Sequence, residues 1–299
     1  INIFFEILSN IVIKKARYNI LIPNQEWFYK NWQPYLENID LVLAKTKYSE
    51  NIFSNFTKTE FIGWESEDLL NDEKKDYNSF IHSCGKSMYK QTQLILDNWD
   101  ISYPHLTVLY HKDKLKLNCP IQENITYICN KIESEELKLL MNKKGIHICC
   151  SETEGYGHYI NEARSCKSVV LTTDSEPMNN FISSKQYLVK VDKKIKLKNV
   201  FGYKSIIDVS SFNNVIDNVI KSKKKDLIAE GEKNRENFLK EREIFRNSVK
   251  RVFDSIFSNL PEKNSKVLIN KENLPKISVV TITRNRERFI KLCLLNIFQ

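Results

Sequence analysis

The chain has 299 residues, of which 41% are hydrophobic and 28% charged, with only 7 glycines and 7 prolines and a net charge of +9. This composition excludes a disordered or low-complexity chain, and at roughly 150 residues per domain it accommodates about two globular domains. The positive charge reads as a lysine-rich solvated surface, and no nucleic-acid partner is expected from it.

The 7 cysteines are scattered, without a C-x-x-C, and Cys149 and Cys150 are adjacent inside an apolar run. Cysteines so placed behave as small hydrophobes, which points to a reducing, cytoplasmic compartment and no zinc site. No apolar run reaches the length of a membrane span, so membrane contact, if any, would be peripheral. The first residues, "INIFFEI", start in a strand-like segment without methionine. A preceding segment is therefore expected.

Short apolar runs alternate with helical patterns along most of the chain, the signature of βαβ units and a parallel sheet. In residues 1–75 the strand candidates are "NIFFEI", "NILIP", "DLVLAKT" and "EFIGW", which make a partial N-terminal Rossmann-like domain. The charged "SEDLLNDEKKDYN" reads as an interdomain linker. Residues 76–258 form a second Rossmann-like domain with strands at "FIHS", "LTVLY", "ITYIC", "IHICC", "SVVLT" and "YLVKV". Helices are predicted near 88–99, 133–143, 158–166 and 176–183, giving a doubly wound α/β domain covered on both faces. A long helix follows, roughly 223–257, with Phe245, Val249, Val252, Phe253 and Ile256 at helical spacing on one packing face. The "KSKKKD" run at 221–226 reads as solvated. Residues 259–276 read as a linker. In 277–299, "ISVVTITRNRERFIKLCLLNIFQ" reads as a strand, a polar turn and the start of a helix. Those elements cannot bury a core alone, so they are expected to open a further domain that is cut off.

The chemistry concentrates in "SETEGYGHYINEA". Glu154 follows the apolar run "GIHICC", and Glu162 lies seven intervening residues later. In a doubly wound sheet, ligands bind beyond the carboxyl ends of the strands, and Glu154 falls on that edge. Gly155 and Gly157 permit a sharp turn and a close backbone approach. A helix starting near His158 offers free N–H groups to an anion. Glu162, about one turn into that helix, can face the same place. Two carboxylates around an anion site suit a ligand that carries both hydroxyls and phosphate. His82 and His158 are open between acid–base and structural roles, and so is Glu26, in "PNQEWF", between an acceptor contact and packing.

The segment "SETEGYGHYINEARSCKSVVLTTDSEPMNNFI" resembles the donor-binding segment of GT-B fold glycosyltransferases. More closely, it resembles the large retaining family (glycosyl transferases group 1) with a Glu, seven residues, Glu signature. E-G-Y-G and N-E-A stand here where that family usually has E-G-F-G and L-E-A. The resemblance implies that Glu154 contacts the transferred sugar and Glu162 the donor ribose, with backbone amides of Gly155, Tyr156, Gly157 and His158 near sugar and phosphate. "FIHSCGKSMYKQTQLILDNW" resembles the segment whose basic pair holds the donor diphosphate. Lys90 matches the family's lysine, and Gly85 stands where its arginine would be. Ser87 and the helix start, helped by Lys86, are expected to replace that arginine. "ITYICNKIESEELKLLM" resembles the segment that touches the nucleotide base, which implies backbone contacts from Asn130, Lys131 and Ile132.

The expectation is thus a GT-B type protein with two Rossmann-like domains, the N-terminal, acceptor-side one incomplete. Its implied activity is transfer of a sugar from a nucleotide-diphosphate-sugar to a hydroxyl of a glycan, protein or lipid acceptor, with Glu154 and Lys90 as the catalytic pair. Retention and the absence of a metal or other cofactor are implied as well. A nucleotide-sugar epimerase and a non-catalytic binding module are the alternatives. "ISVVTITRNRERF" separately resembles the first strand and turn of GT-A (family 2-like) glycosyltransferases.

Overall fold

In a computed structural model, the structure describes residues 1–129 and 132–258 and the backbone of 278–281. Two compact α/β units divide the chain. The first contains Ile1–Trp64, Lys198–Phe201 and the described residues from Glu241 on. The second contains Glu65–Leu197 and Gly202–Lys240.

The first unit starts with β1 (Asn2–Phe5), α1 (Asn10–Ile13), β2 (Asn19–Ile22), β3 (Leu41–Ala44), α2 (Lys47–Phe53) and β4 (Thr59–Phe61). Every residue of β1, β2 and β3 is buried. That is why these strands read as unbroken apolar runs: a parallel sheet covered on both faces has no polar side to alternate with. Phe4, Leu21, Phe28, Val42 and Phe53 share one core, in which Phe28 meets Phe53 edge-on at 5.2 Å and stacks on Phe201 at 5.8 Å. Two buried asparagines tie the amino edge of this sheet. Asn2 Nδ2 donates to Asn19 Oδ1 at 2.9 Å, and Asn19 Nδ2 donates to the Ile13 carbonyl at 3.1 Å. Asn2 also donates to the Val12 carbonyl and Asn19 to the Asn38 carbonyl, which pairs groups at the ends of helical segments.

The second unit contains β5 (Asp76–Gly85), α3 (Thr92–Asp97), β6 (His105–Tyr110), β7 (Ile125–Ile128), α4 (Ser134–Lys143) and β8 (Lys144–Cys149). It continues with α5 (His158–Ser165), β9 (Val169–Thr173), β10 (Leu188–Val189), β11 (Val191–Lys196), β12 (Tyr203–Ile207) and α6 (Val209–Lys221). Its main sheet has the order β10-β9-β8-β5-β6-β7, with every neighbouring pair parallel. The chain runs outward from β5 to β7, then crosses back to β8 and runs outward on the other side. The order therefore reverses between β5 and β8, and that reversal is where an open α/β sheet forms its ligand crevice.

The predicted strands and the helices at 133–143 and 158–166 are present, whereas the one near 176–183 is only a 3-10 turn, Met178–Phe181. Residues 66–78, read from their charge as a linker, instead belong to the second unit, where 76–78 already open β5. Asp68 makes a bidentate ion pair with Arg235 at 2.5 and 2.8 Å, and the Leu69 N–H donates to Ser165 Oγ at 3.0 Å. Asp68 is thus partnered by a distant residue, a relation that composition does not reveal.

The long helix α7 (Lys224–Ser258) follows. Its apolar stripe Phe245, Val249, Val252, Phe253 and Ile256 is buried, as the spacing predicts. Lys223, Lys224 and Lys225 are exposed. A last strand, β13 (Ser278–Thr281), lies parallel to β1 in the first sheet, whose order is β13-β1-β2-β3-β4. The strand read at the start of 277–299 is thus a strand of the first unit's sheet. The predicted linker 259–276 and residues 282–299, the rest of the segment read as the start of a GT-A-like domain, lie outside the described residues. Among the described residues no helix is long and apolar enough to cross a membrane.

Candidate donor site

The two loops that leave β5 and β8 flank the reversal point. At the end of β5, Gly85 adopts φ +57°, the left-handed region open to glycine. A 3-10 turn, Met88–Lys90, follows, and Ser87 caps it by accepting from the Tyr89 N–H at 3.3 Å. The Glu152 N–H donates to the Tyr89 carbonyl at 2.7 Å, which clips the β5 loop to the β8 loop. Beneath them lies His82, fully buried. Its Nδ1 is 2.8 Å from the Ile148 carbonyl and its Nε2 is 3.0 Å from Thr92 Oγ1. A carbonyl only accepts, so Nδ1 carries the proton and Nε2 accepts from Thr92. Burial lowers the His82 pKa to about 4, so this histidine is a neutral structural strut.

The β8 loop turns into α5 at Gly157, whose φ is +94°. That backbone conformation favours glycine, and a Cβ there would press on Ile160 Cδ1 at 3.2 Å. Ahead of it stands Ser151, fully buried, its carbonyl held by Thr173 Oγ1 at 2.7 Å. Ser151 Oγ donates to Glu154 Oε1 at 2.6 Å, and the same oxygen is ion-paired with the Lys90 ammonium. Lys90 also lies over the Tyr159 ring, 3.3 Å from its centroid. Lys90 and Glu154, one from each of the two predicted segments and 64 positions apart in sequence, therefore meet.

Glu162 is half-buried on the second turn of α5. Its charge reaches the same strand end. Burial holds the Cys149 thiol well above its usual range, Lys90 pulls it down, and Glu154 and Glu162 both push it up. One positive and two negative groups thus converge on the last residue of β8.

The other predicted residues divide clearly. Gly155 and Tyr156 are buried, and the Tyr156 ring packs edge-on against His158 at 5.3 Å and Phe181 at 5.2 Å. Its side chain holds the loop's shape. His158 Nδ1 is 2.9 Å from Ser66 Oγ. Lys86 is exposed, Ile132 is half-buried, and Asn130 and Lys131 lie outside the described residues.

Three groups escape a reading of the sequence. Ser151 and Tyr159 sit between quoted motif letters without belonging to any motif. Lys204, on β12, pairs with Glu152 at 2.8 Å and lies over the Tyr89 ring at 4.4 Å, which brings a second cation to the β5 loop. The first unit has a cluster of its own beyond the carboxyl ends of β1, β2 and β3. Asn24 Nδ2 donates to Glu6 Oε1 at 2.8 Å, and Lys45 Nζ donates to Asn24 Oδ1 at 2.9 Å. Glu6 adopts φ +66° there, unusual for a side chain of its size. The only sequence signal for these three is their position just after an apolar run.

No protein-family model matches the sequence, and no curated protein sequence is similar to it. Solved structures are similar in fold. The GtfA/B complex superposes with a TM-score of 0.65 at 14% identity, covering 84% of this chain and 56% of that one. The pneumococcal O-GlcNAc transferase GtfA in complex with UDP and GlcNAc gives 0.60 at 12% identity, covering 83% and 55%. Sucrose-phosphate synthase from Thermosynechococcus elongatus gives 0.65 at 12% identity, covering 87% and 74%. The chain thus spans little more than half the length of the first two structures. The fold is the α/β, parallel-sheet GT-B type of these glycosyltransferases.

Proposed function

We propose that the chain is part of a glycosyltransferase that moves a sugar from a nucleotide-diphosphate-sugar to an acceptor hydroxyl. The observation that carries this reading is the meeting of Lys90 and Glu154 across the point where the second sheet reverses its strand order, with the charge of Glu162 alongside. Such a crevice suits a ligand with both anionic and hydroxyl groups. The similar folds of known glycosyltransferases support the reading.

The proposed chemistry is as follows. The bond between the anomeric carbon and the diphosphate oxygen breaks, and the electron pair leaves on the phosphate. Lys90 and the first-turn amides of α5 stabilise that growing charge, and interactions stronger in the transition state than in the bound substrate accelerate the step. Glu154 accepts hydrogen bonds from the sugar hydroxyls, and Glu162 from the ribose. The acceptor oxygen attacks the anomeric carbon and its proton passes to the leaving phosphate on the same face. That route gives retention without a protein nucleophile and without a metal.

A thermal-shift panel of nucleoside diphosphates and their sugars tests the reading, because a ligand that binds only the folded state raises its apparent stability. A base-selective shift with diphosphates is expected. No shift with any of them would sink the proposal.

A further inference from the structure

We infer that Tyr159, tied to Glu154 through Ser151, is the positioning residue that sets the Lys90 ammonium for the donor's diphosphate, an inference that rests on the nucleotide-sugar reading above. Glu154 Oε1 receives two donors, Lys90 and Ser151. A carboxylate only accepts, so the Ser151 proton points at Glu154, and Ser151 Oγ then accepts from the Tyr159 hydroxyl at 2.6 Å. The order Tyr159 to Ser151 to Glu154 is therefore fixed. Burial, with the nearby negative charge of Glu154, holds the Tyr159 hydroxyl well above its usual pKa range, so it stays a donor.

The ring does the second half of the work. At 3.3 Å from its centroid, the ammonium rests directly on the aromatic face, well inside the roughly 6 Å reach of a cation–π contact. The lysine is thus held by a carboxylate and a ring that are themselves linked by hydrogen bonds. A long, flexible side chain loses most of its rotamer freedom this way before any ligand arrives. Ser151 and Tyr159, which complete this arrangement, belong to no motif of the sequence, and the ring rather than the hydroxyl is what restrains the cation.

The test separates the ring from the hydroxyl and the positioning from the function. With lysine ε-carbons labelled, one ε-methylene should show an upfield ring-current shift, lost in Lys90→Met and in Tyr159→Leu but kept in Tyr159→Phe. Affinities for uridine, guanosine and adenosine mono- and diphosphates are then measured by calorimetry. Tyr159→Leu should weaken the preferred diphosphate on the order of tenfold while leaving the monophosphate nearly unchanged. Tyr159→Phe, which keeps the ring, should retain most of that preference. A missing ring-current shift, or equal losses for mono- and diphosphate in both variants, would overturn the inference. If the shift is present and the wild-type chain binds no nucleotide, the nucleotide-sugar reading fails, and with it the role given to Tyr159, while the ring–ammonium contact stands measured.

Discussion

The two units place the same three kinds of side chain at the carboxyl edges of their sheets, with different results. In the first, Lys45 lies over Trp64 at 4.7 Å and 3.8 Å from Glu6, with Asn24 bonded to both. In the second, Lys90 lies over Tyr159 and pairs directly with Glu154. The Lys45 and Glu6 side chains are 5% and 9% exposed, against 12% and 15% for Lys90 and Glu154. An asparagine wedge lets the first cluster close on itself below the surface. The second has no asparagine between its charges, which pair directly and are slightly more exposed. A lysine, a carboxylate and a ring are therefore not a site by themselves. What distinguishes a strut from a candidate site is whether the charges can still be reached.

The sharpest way to break that comparison is to remove each lysine. Lys45→Met leaves the Glu6 carboxylate buried without its cation, and loss of one partner of a buried pair costs about 3–5 kcal/mol. Lys90→Met should cost about 1 kcal/mol, because Glu154, which like Glu6 keeps one hydrogen bond, is nearer solvent. Its effect should fall on nucleotide diphosphate binding instead. Urea unfolding of both variants decides, and equal losses of stability would erase the distinction.

Acid should act on the second unit first, since all five histidines of the chain belong to it. Burial lowers His82 to about 4, and burial, with Lys75 nearby, lowers His147 to about 3, from an ordinary 6.5. Both pKa values are lower folded than unfolded, so the unfolded chain takes up protons that the native one refuses. Stability is complete above about pH 6.5 and falls as pH drops towards the folded values, at about 1.4 kcal/mol per unit for each group. By pH 5.5 the loss should be about 2–3 kcal/mol. Hydrogen exchange at that pH should quicken in β5 and β8 before β1 to β3, and the reverse order would contradict this account.

Within the second unit, the two glutamates should separate by ligand. Glu162→Ala is expected to weaken the bare nucleoside diphosphate by about 2 kcal/mol, the worth of a hydrogen bond to a charged group. Glu154→Ala should weaken the complete nucleotide sugar more than the bare nucleotide. Titration of both variants with both ligands checks this, and matching losses would show that the roles do not divide. The smallest effect is expected from Lys223, Lys224 and Lys225, which are exposed. Replacing all three with alanine should change neither binding nor stability by more than about 0.5 kcal/mol. A larger loss of binding would move the anion site to that run.

The strands were legible because a buried parallel strand writes itself as an apolar run, as "NILI" and "VVLTT" do. That Lys90 and Glu154 lie at neighbouring strand ends was legible because each follows an apolar run in a segment with a recognisable pattern of letters. Residues such as Tyr159, Ser151, Glu6, Asn24 and Lys45 were not. Each is an ordinary polar residue whose partner comes from another strand end, and local periodicity carries no trace of such pairings. The packing of residues 66–75 was missed for the same reason, since the partner of Asp68 lies on α7, 167 positions away.

The division of α7 between the units has a consequence for synthesis. The second unit's residues have all been made once Lys240 is added, whereas the first unit draws on three separate pieces of chain. Until the ribosome has passed Ile256, the first unit lacks the buried Phe245, Val249 and Val252, and β1 still lacks its neighbour β13. A growing chain therefore displays an unfinished apolar face and an open strand edge for as long as it takes to add those last residues, some seconds at ribosomal rates of about 5–20 residues per second. Of the two units, the one whose residues begin earlier in this sequence is the one completed later. Nascent-chain proteolysis should find the second unit protected while the first is still open to cleavage.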